Sequence, residues 1–517
     1  MLRPSELLSQ ALAHAAQHPA AALLLLALQL VTLRAAHGKY FPQWLPGPLE
    51  LPVIGALPWL LRNRHDVLGA ILAASRSASF KTWTVKWLGA PRYIMTTDPR
   101  NLEHILKTNF ANYPKGAHFN GTLADLLGAG IFVSDGEQWK AQRHLFASLF
   151  TERSFNTVVL AALHARGGAL EAALARAAAA RAPIDLFHLH NRFTLDAIGS
   201  IAFGLDIGSL ANPAHPFAAA FDQAQQALDL RFFTPGWRAL RALLPSERAL
   251  ASSVATMHGF CAELIAARRA EAPEARAART DVLSRAMALE VPEGSGRFPF
   301  RDSDAALRDL ILNFLIAGRD TTAQALSWAV LSVCSAQQRA GEGGAGERLA
   351  AEGALLRARS SASSGSASAS ADAPAFTPSY ESLEKELPYA SAVMRETLRL
   401  FPSVPKDIKT ALAADVLPDG THVPAGATLA YLPYVMGRSP ALWGADCEAF
   451  LPERFLGKPL PSAWRLPAFN GAGPRTCLGQ RMALAEANFV LALVFSRFKR
   501  AWGRPFLLLL SFTSPRR

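Results

Sequence analysis

Cys477 sits in the run PAFNGAGPRTCLGQRMALAEANFVLALVFSRF, after a glycine-rich, proline-stiffened loop and immediately before a long helical pattern. A cysteine at a helix amino terminus feels unpaired N–H groups and the positive dipole end, which lower its pKa and favour the thiolate. Arg475 and Arg481 add positive charge beside it. Gly471, Gly473 and Gly479 let the backbone approach something flat and large. A lone cysteine is otherwise a small buried hydrophobe, and Cys261, Cys334 and Cys447, which lack such surroundings, are read that way. Set in Gly-x-Arg-x-Cys-x-Gly, Cys477 suits a haem iron: thiolate to the metal, Arg475 to a propionate, Gly473 and Gly479 for clearance.

The elements that must position this loop are mostly helical. From about Asp66 onward Ala, Leu and Arg recur with helical periodicity. Two hairpins interrupt them. One is KTWTVKWLG and PRYIMTT, turning at Gly89, Ala90 and Pro91; the other is DVLPDGTHVPAGATLAYLPYV, turning at Asp419 and Gly420. The expected class is mainly α with minor β-sheets, in a single large domain over residues 39–517. Residues 336–377 form an Ala/Ser/Gly tract with few groups able to offset chain entropy and are expected to be a low-complexity, disordered insertion, the Ser-rich half above all. At the amino terminus, PAAALLLLALQLVTL with the preceding Ala-rich turn predicts a membrane anchor over residues 1–38, with a cleaved signal peptide as the rival. Pro42, Pro46, Pro48 and Pro52 make a stiff connector behind it.

Composition excludes several classes. The chain has 517 residues, half of them hydrophobic, and only four cysteines, which is neither a disordered chain nor a disulfide-stapled secreted scaffold. The net charge of +12 is mostly scattered arginine without aromatic-interleaved basic blocks, so no nucleic-acid partner is expected. His188 and His190 are two apart on a helical pattern and point to different faces, against a metal pair.

The Cys477 motif resembles the haem-binding signature of the cytochrome P-450 family, and four further pieces stand in that family's order. WKAQR resembles the Trp-x-x-x-Arg helix, implying that Trp139 and Arg143 contact a haem propionate. AGRDTT, Ala317 to Thr322, resembles the oxygen-binding helix. ETLR, Glu396 to Arg399, resembles the Glu-x-x-Arg helix, and PERF supplies Arg454 to the same ion network. The resemblance runs from about Leu45 to Phe498 and implies the cytochrome P-450 fold. Two departures stand out: Phe469 is eight residues before the cysteine, one more than in the family signature, with Asn470 in the expected place. The 40 residues after Cys477 lack the family's closing strands, so an atypically short carboxy-terminal end is expected.

The resemblance assigns further roles. Ala317 and Gly318 let a helix pass close over a porphyrin; Thr321 bonds its own i−4 carbonyl and opens the helix locally; Asp320 relays protons as a general acid. Glu396, Arg399 and Arg454 form a buried network. DLLGAGIFVSDGEQWKAQR, RLFPSVPKDIKTA, DVLPDGTHVPAG and YVMGR are similar to plant and algal fatty-acid ω-hydroxylases. That branch implies a substrate pocket with Leu126, Ala317, Thr321, Val404 and Pro405, haem b, O2, electrons from NADPH through a separate reductase, and a long-chain fatty acid as substrate. It also implies the endoplasmic reticulum membrane, with the domain facing the cytosol. A reductase-independent lipid-hydroperoxide isomerase or dehydratase, and a catalytically silent haem-binding relative, stay open.

Overall fold

The computed structural model describes residues 45–147, 150–234, 236–289, 303–340, 344–363 and 376–498. The anchor over 1–38, the Ser-rich stretch 364–375 and the tail from 499 onward lie outside the described residues. Eleven helices of ten residues or more organise what is described. They are α1 (Val67–Ser77), α2 (Gly116–Leu127), α3 (Gly136–Ala147), α4 (Leu160–Ala179), α5 (Leu186–Phe203), α6 (Pro216–Phe233), α7 (Pro245–Ala270), α8 (Asp304–Ala340), α9 (Ala345–Ser363), α10 (Pro388–Leu400) and α11 (Gln480–Arg497). Local signals set several ends. Asp185 caps α5 by accepting the His188 N–H, and Gly204 closes it in the left-handed region, where a Cβ is penalised.

Both expected hairpins are present. β1 (Trp83–Val85) pairs antiparallel with β2 (Tyr93–Thr96), and β4 (Asp415–Val416) with β5 (His422–Val423) around Gly420 at φ 84°. The remaining strands, β3 (Asp407–Thr410) and β6 (Thr428–Tyr431), complete a four-stranded sheet in the order β1-β2-β6-β3, with β2 and β6 parallel. The second proline-rich hairpin is therefore shorter than its sequence run, because TLAY leaves it to join the larger sheet. The end of the proline-rich connector also docks: Thr84 donates to the Pro46 carbonyl at 2.8 Å, and Gly47 lies so close to the Thr84 carbonyl that a Cβ would stand 2.0 Å from it.

The core forms around α8, which packs against α5, α7, α10 and α11. Leu310, Ile311 and Leu315 of α8 are buried in one cluster with Phe193 and Ile198 of α5 and Phe489 and Val490 of α11. The 37-residue α8 is stitched to α5 by polar contacts as well: Thr194 donates to the Arg319 carbonyl at 2.9 Å, and His190 Nδ1 meets Ser327 Oγ at 3.0 Å. His190 is thus a core residue and His188 an exposed one. Helices Glu152–Ala179 and Pro245–Ala270 are long and apolar enough to cross a membrane by length and composition. Both carry core residues here, Leu163 and Leu170 in the first, Met257 and Cys261 in the second.

The Ala/Ser/Gly tract requires a correction. Its first half is α9, which lies on α11 with Leu349, Ala350 and Leu356 buried. Gly353 lets the two backbones approach, since a Cβ there would come within 2.6 Å of the Ala492 carbonyl oxygen. Arg357 reaches Glu171 of α4 at 2.9 Å. Composition gave the wrong expectation because Ala, Leu and Arg are strong helix formers, and small residues at helical spacing make a seam without aromatic bulk.

Candidate active site

α3 places Trp139 and Arg143 four residues apart on one face. The loop before α11 brings Arg475 and Cys477 to meet them. The Arg475 guanidinium lies 4.4 Å from the Trp139 ring centre and donates to Asp135 Oδ1 at 2.6 Å and the Ser134 carbonyl at 2.9 Å. Its Nε is buried without a hydrogen-bond partner. Arg143 is half-buried, and the charge that favours its ionised form is that of Cys477.

The loop itself absorbs its extra residue through two successive left-handed positions, Asn470 at φ 66° and Gly471 at φ 70°. Asn470 then folds back, its Nδ2 donating to the Arg475 carbonyl at 3.0 Å while Oδ1 accepts from the Tyr431 hydroxyl of β6. The Cys477 N–H donates to the Phe469 carbonyl at 3.0 Å. Gly473 is required by a close approach to Leu106, whose carbonyl oxygen would stand 2.0 Å from a Cβ, so its smallness serves packing of the loop on the protein. Gly479 faces the sulfur instead: a Cβ there would lie 4.0 Å from Cys477 Sγ.

Cys477 is exposed, yet burial raises its thiol pKa, with the Gly479 N–H and the Arg143 charge acting in the opposite direction. The depressed pKa read from the helix start is therefore not what the fold gives the bare thiol, because desolvation outweighs both. Val404, in the loop after α10, is 46 % exposed. A thiol, two guanidiniums without full pairing and an indole fit a flat, dianionic metal cofactor, and metal coordination would itself deprotonate the thiol.

Along α8, Thr321 Oγ1 donates to the Ala317 carbonyl at 2.7 Å. The helix nevertheless runs on without a break through this turn, so the expected local opening does not occur. Ala317 and Thr321 are both partly open. Gly318 is not part of that surface. It faces α5, where a Cβ would meet Ile198 at 2.5 Å, so its size permits helix packing. Leu126, 1 % exposed, likewise belongs to the core. Pro405 is half-buried and its carbonyl accepts the Tyr434 N–H at 3.2 Å.

Asp320 is held beside Arg319, with Nη1 to Oδ1 at 3.1 Å, and its Oδ2 is buried without a partner. Burial pushes its pKa up to about 6 against the pull of Arg319, and Asp222 pushes it the same way as burial. It is thus a carboxyl able to gain and lose a proton near neutrality.

Glu396 and Arg399 are both fully buried and joined by two 2.7 Å bonds; Arg399 also donates to the carbonyls of Gly437, Cys447 and Ala449. Arg454 approaches Glu396 at 3.4 Å and Asp446 at 2.8 Å. Every acceptor in this buried group is turned to the segment 437–455, which fixes the chain leading to the Cys477 loop. Sequence reasoning gave no role to Asp135 or Ser403 and no contact to Asn470. Asp135 lies inside a run already singled out, but nothing in the spacing ties it to Arg475.

The cytochrome P450 family profile matches residues 45–340 and 366–502, bracketing α9. The chain is 35 % identical over 489 residues to cytochrome P450 704B1 of Arabidopsis thaliana, covering 88 % of this chain and 89 % of that protein. It is 37 % identical over 479 residues to cytochrome P450 704C1 of Pinus taeda, with 89 % of each covered. It is 34 % identical over 469 residues to cytochrome P450 monooxygenase cyp1 of Mycosarcoma maydis, covering 88 % of this chain and 69 % of that protein. The chain belongs to the cytochrome P450 family and is an oxidoreductase of the monooxygenase type, the family whose cofactor is haem iron and whose co-substrate is O2.

Proposed function

We propose that this protein is a membrane-anchored haem-thiolate hydroxylase acting near the methyl end of long-chain fatty acids. Its place is the endoplasmic reticulum membrane, with the catalytic domain facing the cytosol and electrons coming from NADPH through a separate reductase. The observation that carries the reading is the convergence of Cys477, Arg143, Arg475 and Trp139 where α3 meets the loop before α11. Haem b bound there would supply oxygen activation, with thiolate electron donation from Cys477.

This chain's residues do the rest. Cys477 would hold the haem iron through its thiolate. Arg143 and Arg475 neutralise the propionates, and Asp135 with the Trp139 face holds Arg475 in place. The Thr321 hydroxyl, anchored on Ala317, and the Asp320 carboxyl hold and deliver protons on the open side. Val404, Pro405 and Ala317 present apolar surface to the substrate. Lys and Arg side chains on the cysteine side dock an acidic reductase. The fatty-acid substrate rests on the likeness of the VLPDG hairpin and YVMGR to ω-hydroxylases.

Purified full-length protein with reductase, NADPH and dodecanoic or oleic acid tests the reading. Reductase-dependent hydroxy acid is the expected product. Turnover of a lipid hydroperoxide alone, or haem binding with no turnover, would overturn it. The reduced, CO-bound spectrum reports the ligand directly, and Cys477→Ser is expected to abolish both the thiolate spectrum and activity.

A further inference from the structure

The cysteine loop is tied to the four-stranded sheet through Asn470. Its Oδ1 meets the Tyr431 hydroxyl of β6, and that hydroxyl lies 2.6 Å from Asp407 Oδ2 on β3, where Asp407 and Tyr431 are cross-strand partners. Asp407 in turn holds two ammonium groups, Lys115 Nζ at 2.9 Å and Lys409 Nζ at 2.8 Å. Lys115 stands at the start of α2, and its N–H donates to Asp135 Oδ1 at 3.1 Å. The same Asp135 oxygen accepts from the Arg475 guanidinium at 2.6 Å, while the Arg475 carbonyl accepts from Asn470 Nδ2 at 3.0 Å. These contacts close a ring that begins and ends on Arg475. Tyr431 and Lys409 are fully buried and Lys115 nearly so, which sets the ring inside the protein. Asn470 itself sits at φ 66°, a conformation that costs an ordinary side chain about 1–2 kcal/mol and that asparagine tolerates through such bonds.

A side chain that grips a ligand is only as well placed as the groups that support it. Asp135, the Ser134 carbonyl and the Trp139 face set the guanidinium of Arg475; Asn470 sets its main chain. We propose that Asn470 and Tyr431 are positioning residues for the cofactor, holding the Arg475 main chain to the sheet so that its guanidinium keeps a fixed reach to a haem propionate. The proposal rests on the haem reading above. Asn470 reaches the sheet through the Tyr431 hydroxyl, so the two side chains act in series. Their effect passes through Arg475, and it is therefore confined to a cofactor that carries carboxylates.

The test loads the full-length protein with haem b or with its dimethyl ester, in which both propionates are masked, and follows cofactor transfer to excess apomyoglobin. Wild type is expected to release the ester faster than haem b. Asn470→Gly keeps the left-handed φ without the side chain, and Tyr431→Phe keeps the ring without the hydroxyl. Each is expected to speed release of haem b by about 2- to 10-fold, the range of one hydrogen bond, and to leave release of the ester within about twofold. The double variant should be no faster than the faster single one, because bonds in series are not additive. Equal acceleration for haem b and ester would make the ring a purely structural tie, and effects that multiply in the double variant would mean two separate contacts; either result would overturn the proposal. So would haem b release unchanged in both single variants. Wild type that releases both cofactors alike would sink the propionate reading of Arg475 itself, and the proposal with it.

Discussion

The Ser403 hydroxyl donates to the main-chain carbonyl of Thr321 at 2.7 Å, across 82 residues of sequence. The bond joins the loop that follows α10 to the turn of α8 on the open side of the site. Thr321 is held twice, through its own hydroxyl to Ala317 and through its carbonyl to Ser403. The second of these holds does not use the side-chain hydroxyl.

That double hold makes Thr321→Ala a clean probe of proton delivery. The substitution removes the hydroxyl and little volume, so folding should change little. Product is expected to fall by roughly 10²-fold or less, the lower range for general-acid effects, while NADPH consumption stays within a few-fold and hydrogen peroxide rises to match. Measuring NADPH, peroxide and hydroxy acid together decides it. Unchanged coupling between NADPH and product would mean that the hydroxyl does no more than bond Ala317.

Arg399→Met leaves the Glu396 carboxylate buried with only the Arg454 contact at 3.4 Å and the Leu451 N–H at 2.8 Å. Breaking a buried pair in this way costs about 3–5 kcal/mol. Arg454→Met should cost less, because its side chain is partly exposed and Arg399 still pairs Glu396. Urea unfolding of the two variants side by side should give that order. Equal midpoints would mean that Arg454 carries as much of the network as Arg399.

Gly353→Val tests whether α9 is part of the folded core. The added side chain would press on the Ala492 backbone of α11, where the nearest backbone atoms leave no space. Overpacking of this kind costs about 1–3 kcal/mol, and excision of α9 as a whole should destabilise the fold further by exposing the facing surface of α11. A thermal scan of Gly353→Val that matches wild type would mean that α9 does not pack on α11 in this way.

Glu486 of α11 supplies a pH prediction. It is buried, its Oε1 has no partner, and burial pushes its pKa up to about 8. The unfolded carboxyl titrates near ~4.3, so between those values the folded chain holds a proton that the unfolded chain has lost. Stability from this group therefore falls as pH rises toward 8 and levels off above it, by about 1.4 kcal/mol per pH unit inside the window. Glu486→Gln should gain melting temperature relative to wild type from pH 5 to pH 8. Parallel curves for the two proteins would show that Glu486 is ionised in the fold.

The class of fold, both hairpins and the order of the chemical motifs were legible in the sequence because they depend on local rules. Helical periodicity, turn residues and short spacings such as Glu396 to Arg399 act within one or two turns of chain. What the tertiary structure decided was which way each small or charged residue faces. Gly318 packs on Ile198 and Gly473 on Leu106, although both stand in motifs that imply clearance over a cofactor. The Cys477 thiol is desolvated more strongly than its helix start and Arg143 favour it, since burial depends on the whole surrounding body. α9 became core because α11, more than 100 residues away in sequence, offers it a matching seam.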